Sequence, residues 1–496
     1  MYNTDMNIDT ITLCPERTIY KRFINDPAKQ EDENFFKKKK ALQEQYKLAF
    51  HMYLAEMYPH LKYEKTNDKV YWDYNDSDGV YKELSFNEVR SLVIKLLIDE
   101  DMMAVATEAF VKTVLNRYRA SFSENGITFD GFDKDNDWFH AANGWVNLNT
   151  LELVPHTPER LSRFASLVVY DKDAICPLYD KFLNEDARLL PEESRVISQF
   201  SGILLTKEIK YEKMLTMIGR SGSGKSTLVN IWNYVLGDLA TKRRLHHLSG
   251  DSSRFIGSTL LGKQLCWFDE VDIKRSEMSN DLGNLITGTT IDIERKGIDG
   301  HVEADNQIKC VLTGNRLPLS SEDGMFRRMI LIYFERSFTD EGVADKDMLE
   351  KMYKESSGIL NKMIQGLHDI RKMGGFTMIP GHEERISEYK EASDPIAGFL
   401  GIYFEPAKGD DVSATKLFEA YKAYRVNDSF VKNLTIQKFG MMLKAQTLPQ
   451  FAHIQKKHSK VGSVWSGLRL KRGYDFSEFG NITGALVEEE IEDLTF

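Results

Sequence analysis

Cysteine is scarce in this chain. Cys14, Cys176, Cys266 and Cys310 are scattered over 496 residues, and none has the spacing of a zinc site or a C-x-x-C redox pair. That excludes a zinc ribbon and suits a reducing, cytosol-like compartment, the cytoplasm of a bacterial host being the expected one. Cys266 and Cys310 fall inside apolar runs and read as small core residues. No apolar run reaches the roughly 18 residues of a membrane span, so no membrane partner is expected. The opening Met1-Tyr2-Asn3-Thr4-Asp5 lacks the basic-then-apolar order of a secretory signal. Positive charge is also in deficit: 65 Lys and Arg against 75 Asp and Glu leave a net charge of −10, which by itself does not suggest a nucleic-acid partner. No serine–histidine–aspartate set or metal-ligand cluster stands out.

What is present is concentrated in one stretch, Gly219-Arg220-Ser221-Gly222-Ser223-Gly224-Lys225-Ser226-Thr227. It reads G-x-x-x-x-G-K-S, follows the apolar run Met214 to Ile218, and opens a helix-like segment from Leu228 to Leu236. Strand, glycine loop and helix form the context of a phosphate-binding loop. Glycines let successive backbone N–H groups turn inward on an anion, and the following helix aims its free N–H groups and positive dipole end at the same point. Lys225 supplies a point charge to the β- and γ-phosphates, and the Ser226 hydroxyl is placed to ligate magnesium. ATP and Mg2+ are the expected ligands.

Further apolar runs extend the reading. Leu265-Cys266-Trp267-Phe268 leads into Asp269-Glu270, one carboxylate for the metal and one to polarise an attacking water. A third run, Ile308 to Thr313, ends at Gly314-Asn315, whose amide can hold that water against the γ-phosphate. Phe326-Arg327-Arg328 then precedes Met329 to Phe334, a continuous apolar run of parallel-sheet type. Arginines at such a domain edge can serve a neighbouring subunit's nucleotide, where a charge acting only in the transition state is worth about 10³–10⁵ in rate. Between the first two strands, Lys242-Arg243-Arg244 and Asp251 to Phe255 receive no role from spacing, and Arg254 reads as a surface ion-pair residue.

Four elements in this order resemble the superfamily 3 helicases, compact AAA+ motors, and most of all the phage and plasmid primase–helicase branch that includes the poxvirus-type enzymes. Asn143 to Leu148, Pro155 to Pro158, and Cys176-Pro177-Leu178-Tyr179 with Phe182-Leu183 look like the segment preceding the motor in that branch. Gly358 to Asn361 with Gly366-Leu367 is similar to its helical lid. Asp394-Pro395-Ile396, Phe399-Leu400, Leu417-Phe418, Tyr421 and Tyr424 resemble its winged-helix region. The resemblance implies a homo-hexameric ring, hydrolysis between subunits and 3′→5′ movement on single-stranded DNA. It puts Lys225 and Ser226 on the phosphate loop, Asp269 and Glu270 on the second motif, and Asn315 on the sensor. Arg327 is the better candidate for the finger, and Arg328 the fallback. Asn284 stands where the branch usually has lysine, and Thr289-Thr290 replaces its Gly-Asp. Ile291 to Gln307 is then the pore hairpin, with Arg295, Lys296 and His301 as its DNA contacts, although Asp292, Glu294, Asp299, Glu303 and Asp305 share the segment.

The C-terminal region carries its own electrostatic signal. Between Phe430 and Gly473 there is no acidic residue, while Lys432, Lys438, Lys444, Lys456, Lys457, Lys460, Arg469, Lys471 and Arg472 interleave with Phe439, Phe451 and Trp465. Helical spacing in Phe418 to Tyr424 and Ile436 to Leu443, then strand-like Val464 to Leu470, fits a winged helix, with Lys456, Lys457 and Lys460 as DNA contacts. Asn34 to Met57 reads as an amphipathic helix on which Lys37 to Lys40 form a solvated face. Val70 to Leu84 reads as a hairpin, so Asp76 and Asp78 belong to its turn rather than to a metal pair. Lys351 to Lys372 reads as helical and amphipathic and is expected to close over the nucleotide like a lid. The tail Glu488 to Phe496 is acidic and expected to be disordered.

The expected fold is therefore α/β. Its divisions run 1–120 (helical with a hairpin), 121–205 (the segment before the motor), 206–340 (AAA+ core), 341–390 (lid), 391–475 (basic winged helix) and 476–496 (tail). The expected function is an ATP-dependent replicative helicase of a phage, plasmid or other mobile element, acting on single-stranded and forked DNA. With no room for a primase domain, a separate primase is an expected partner. An ATP-switched origin-remodelling initiator is the alternative, and a phosphotransferase using the same loop a remote one.

Overall fold

Hydrophobic periodicity changes along the chain, and the architecture changes with it. The computed structural model describes residues 13–31, 34–128, 131–245, 259–260, 262–269, 280–288, 291–294, 301–304, 306–315, 317, 323–393, 395–425, 434–445, 449–459 and 462–476. They divide into two units, Met1–Ala165 and Ser166–Phe496, so the division falls inside the expected 121–205 segment.

In the first unit the long helix spans Phe35–Met57 and buries Tyr46, Phe50, Tyr53 and Leu54. Lys37, Lys38 and Lys40 on it are exposed, as a solvated face requires. The hairpin forms from β2 (Val70–Asn75) and β3 (Val80–Ser85), after β1 (Lys62–Glu64). Gly79 takes φ +71° in the turn, and Asp78 there pairs with Lys82 at 2.9 Å. The hairpin is half of a four-stranded sheet of order β3-β2-β1-β4, closed by β4 (Gly126–Ile127) beyond residue 120. Helix Phe86–Asp99 begins with a capping box: the Glu88 carboxylate accepts the Ser85 backbone N–H at 2.7 Å.

A second, antiparallel sheet joins β5 (Trp138–Ala141), β6 (Gly144–Asn147) and β7 (Leu153–Val154). Buried His140 stacks on Trp145 at 4.1 Å and meets His156 at 2.9 Å, and burial pushes its pKa down to about 4.

In the second unit the continuous apolar runs form a five-stranded parallel sheet. It contains β8 (Met214–Gly219), β9 (Ala240–Arg243), β10 (Leu265–Phe268), β13 (Lys309–Gly314) and β14 (Met329–Phe334) in the order β14-β8-β13-β10-β9. Cys266 and Cys310 are register partners inside it, both fully buried and free. Burial holds the Cys266 thiol up at about 12, so both behave as core residues. β11 (Ile291–Glu294) and β12 (His301–Ala304) pair antiparallel, giving the expected hairpin.

Lys351–Lys372 is helical, as expected, with one interruption. It forms two helices, Met348–Lys354 and Ser356–Met373, separated at Glu355. The Glu355 carboxylate turns away to accept N–H groups of Leu178 (3.0 Å) and Tyr179 (3.2 Å) at the start of helix Pro177–Lys181. Helix Ser356–Met373 packs on Pro191–Ile203 through facing glycines. A Cβ at Gly366 would meet the Ser198 carbonyl oxygen at 1.9 Å, and one at Gly202 the Leu367 nitrogen at 2.2 Å.

The C-terminal part runs helix Pro395–Tyr403, β15 (Phe404–Ser413), helix Ala414–Tyr424, helix Ile436–Ala445, β16 (Gln455–Ser459) and β17 (Gly462–Leu470), with sheet order β15-β17-β16. Phe399, Leu417, Tyr421, Phe439, Trp465 and Leu468 fill its core. Among the described residues, no helix is long and apolar enough to cross a membrane.

Candidate nucleotide site and basic surface

The sheet order determines what meets what. In a parallel sheet all carboxyl ends share one edge, and ligands bind there, next to the strand-order reversal. Here β13 inserts between β8 and β10, so the ends of the glycine loop, Asn315 and Asp269 come from three adjacent strands.

The loop has the backbone the motif demands. Gly222 and Gly224 lie at φ +73° and +88°, and helix Lys225–Leu236 starts directly after them. The loop is also held from behind. Ser337 Oγ donates to the Ser221 carbonyl (2.9 Å) and the Phe338 N–H to the Gly222 carbonyl (3.0 Å). A Cβ on Gly222 would lie 2.1 Å from Thr339 Oγ1, and one on Gly219 2.1 Å from the Phe334 carbonyl oxygen. Lys225, only 6% exposed, curls its ammonium under the loop and donates to the carbonyls of Gly219 (2.5 Å) and Arg220 (2.8 Å) and to Ser223 Oγ (2.7 Å). Burial pushes its pKa down to about 8, opposed by the charge of Asp269. Ser226 and Asn315 are exposed.

Asp269 is held at both oxygens. Thr313 Oγ1, on the neighbouring strand, donates to Oδ1 at 2.8 Å while accepting Trp267 Nε1–H at 2.8 Å. Lys242, at the same edge on β9, reaches Oδ2 at 2.6 Å and lies 4.3 Å from the Trp267 ring centroid. Neither Thr313 nor Lys242 was singled out from the sequence. Their signal was positional, a hydroxyl and a cation at strand ends, and it needs the strand order to be read.

This donor set suits a nucleotide triphosphate with its divalent ion: inward-turned loop, helix N-terminus and buried ammonium for phosphate oxygens, and a hydroxyl and a carboxylate as hard oxygen ligands. Glu270 lies outside the described residues.

Arg327 and Arg328 end helix Asp323–Arg328, just before β14. Because Met329 pairs with Met214, they sit at the amino-terminal edge of the sheet. Strands of this length separate them from their own loop by roughly 20 Å. The two differ in surroundings. Arg327 is exposed, with its carbonyl accepting Lys213 Nζ at 2.5 Å. Arg328 is half-buried, its guanidinium 2.8 Å from where a Gly324 Cβ would lie and 3.7 Å from that of Gly283. Arg295 and Lys296 lie outside the described residues, as does the side chain of His301, whose backbone pairs with Glu294 in the hairpin.

The basic C-terminal surface is sparser than its sequence. Arg469 is neutralised by Glu405 (2.5 Å), with Asp410 at 3.8 Å. Lys471 Nζ donates to the Gly401 carbonyl at 2.5 Å. Lys456 and Lys457 alternate on β16 and therefore face opposite sides. Lys456 pairs with Trp465, while Lys457 pairs with Val464 and donates to Ser466 Oγ at 2.9 Å. Lys460 lies outside the described residues. Exposed Lys438 and Lys444 on helix Ile436–Ala445 complete the surface with Lys456.

Two segments match known families. Residues 51–186 match the family described as D5 N terminal like, and residues 217–328 match a family of unknown function, DUF5906. No curated protein matches the sequence. Among solved structures, the apo NrS-1 C terminal region is similar at 14% identity and TM-score 0.49, over 84% of this chain and 97% of that one. An A form of the same region gives 0.49 at 11% identity over the same shares.

Proposed function

We propose that this chain is a phage-type replication protein of the helicase class, an ATP-driven motor assembled as a ring hexamer on single-stranded and forked DNA. One observation carries the reading. The order β14-β8-β13-β10-β9 gathers the loop, Asn315 and Asp269 at one edge and leaves exposed Arg327 at the other, beyond reach of its own loop. That order supports an AAA+ reading, in which each hydrolytic centre would be completed by the next subunit. The D5 N terminal like match supports it, since residues 51–186 include most of the segment resembling the one before such a motor. The helix-strand-helix-helix-strand-strand order after Pro395 supports a winged-helix reading, in which Lys438, Lys444 and Lys456 would meet DNA phosphates.

In this reading Lys225 and the loop N–H groups draw in the β- and γ-phosphates, with Ser226 and Asp269 as magnesium ligands. Held there, the ion would supply charge neutralisation to the phosphoryl group. Asn315 orients the water and Glu270 takes its proton. Arg327 of one subunit stabilises the transition state at its neighbour, and Arg328 stays within its own subunit. The hairpin of β11 and β12 carries the strand through the pore, with Arg295, Lys296 and His301 on it.

ATPase rate against single-stranded DNA concentration, with native mass determination, tests the proposal. DNA-stimulated turnover by an oligomer and unwinding of a 3′-tailed fork are expected. DNA-independent hydrolysis by a monomer at full rate would overturn it, and hydrolysis without strand displacement would favour the origin-remodelling alternative.

A further inference from the structure

Asp269 is the carboxylate assigned to the metal, yet both of its oxygens already have donors. Each carboxylate oxygen has a second lone pair, so what opposes a cation arriving on this group is charge, and the two donors are unequal: only Lys242 carries a positive charge of its own. Thr313 is 1% exposed and locked in a chain running from Trp267 Nε1–H through its hydroxyl to Oδ1. Removing it would strand two buried polar groups. Lys242 lies on the edge strand with its side chain 57% exposed, against 16% for Asp269. Its flexible stem can withdraw along the Trp267 face, where the ring still attracts the ammonium. It also approaches from the β9 side, farther from the glycine loop than Asp269 itself.

We infer that Lys242 is a displaceable latch on Asp269: its ammonium and the divalent ion compete for Oδ2, so loading the metal requires Lys242 to let go. Lys242 is a positioning residue in this scheme. While latched, it keeps the carboxylate neutralised and fixed in rotamer, and it sets the ion concentration at which the site becomes competent. The inference rests on the motor reading above.

A half-exposed ion pair is worth about 0.2–1 kcal/mol. Removing the competitor should therefore tighten divalent binding roughly 1.5- to 5-fold. The test uses the full chain with a non-hydrolysable ATP analogue, bound Mn2+ being followed by electron paramagnetic resonance and metal-free nucleotide affinity by a fluorescent analogue. Lys242→Met keeps the aliphatic contact with Trp267 and removes the charge. It should raise Mn2+ affinity by that factor and leave metal-free nucleotide affinity unchanged. Arg243→Gln, the adjacent cation on the opposite face of β9, should change neither. Unchanged or weaker Mn2+ binding in Lys242→Met overturns the latch, as does an equal gain in Arg243→Gln, which would mark a general charge effect. Failure of the parent chain to bind nucleotide at all would instead overturn the motor reading, and the latch with it.

Discussion

Raising the pH should weaken nucleotide binding two units earlier than an ordinary lysine would allow. Burial depresses the Lys225 pKa from 10.5 to about 8. A bound phosphate favours the charged form, so the pKa in the complex is higher. Between those two values affinity falls tenfold per pH unit, because each binding event must take up a proton. From pH 7 to 9.5 the loss is on the order of tenfold to thirtyfold, whereas a lysine at 10.5 would lose almost nothing over the same range. The assay is titration of a fluorescent ATP analogue in EDTA, which keeps the metal and Lys242 out of the comparison. Lys225→Met should bind weakly with a flat profile. Parent affinity that stays level to pH 9.5 would refute the claim that Lys225 is both buried and the phosphate partner. The stability sign runs the other way. The folded chain holds fewer protons than the unfolded one between pH 8 and 10.5, so this residue's contribution to stability improves as pH rises through that window. Below it, at about 1.4 kcal/mol per pH unit, the buried charge opposes folding by about 3 kcal/mol.

Gly222→Ala places a Cβ at positive φ and 2.1 Å from Thr339 Oγ1, so about 1–3 kcal/mol of stability and most nucleotide binding should be lost; calorimetric melting and the same titration measure both. Thr313→Val keeps the shape but leaves Trp267 Nε1–H and Asp269 Oδ1 without their shared hydroxyl, and chemical denaturation should show a loss of about 1–3 kcal/mol. Glu355→Ala frees the Leu178 and Tyr179 N–H groups and should cost about 1–2 kcal/mol, read by denaturation and by faster amide exchange at those two residues.

Much of the parallel sheet was legible because four of its strands are buried along nearly their whole length and so read as unbroken apolar runs: Met214 to Ile218, Leu265 to Phe268, Ile308 to Thr313 and Met329 to Phe334 each became a strand. β9, Ala-Thr-Lys-Arg, is an edge strand with no fully buried residue and so shows no apolar run, which is why Lys242 drew no role. β15 runs through Pro406, Gly409, Asp410 and Asp411 and is irregular between Ala407 and Asp411, so its composition reads as loop. The break at Glu355 was hidden because the helical period runs straight through it, and the partners of its carboxylate, the N–H groups of Leu178 and Tyr179, lie far off in sequence. In the basic region, adjacency in sequence misled: neighbouring lysines on a strand separate in space, and Arg469 is matched by acids outside the acid-free stretch. The glycine loop needed no tertiary information, since every requirement of its geometry is met by consecutive residues.

The struts behind that loop have a mechanical consequence. Because the carbonyls of Ser221 and Gly222 are gripped by Ser337 and Phe338, the cradle cannot reshape around a phosphate without dragging the chain that leads to helix Met348–Lys354. That helix leans on Lys225–Leu236, the helix springing from the cradle itself. Loop, strut and helix thus form a closed linkage, and the arrival of an anion at one corner is felt as tension at the others. Phe338, although its N–H points at a carbonyl and not at an anion, is thereby tied to any change in the loop's shape.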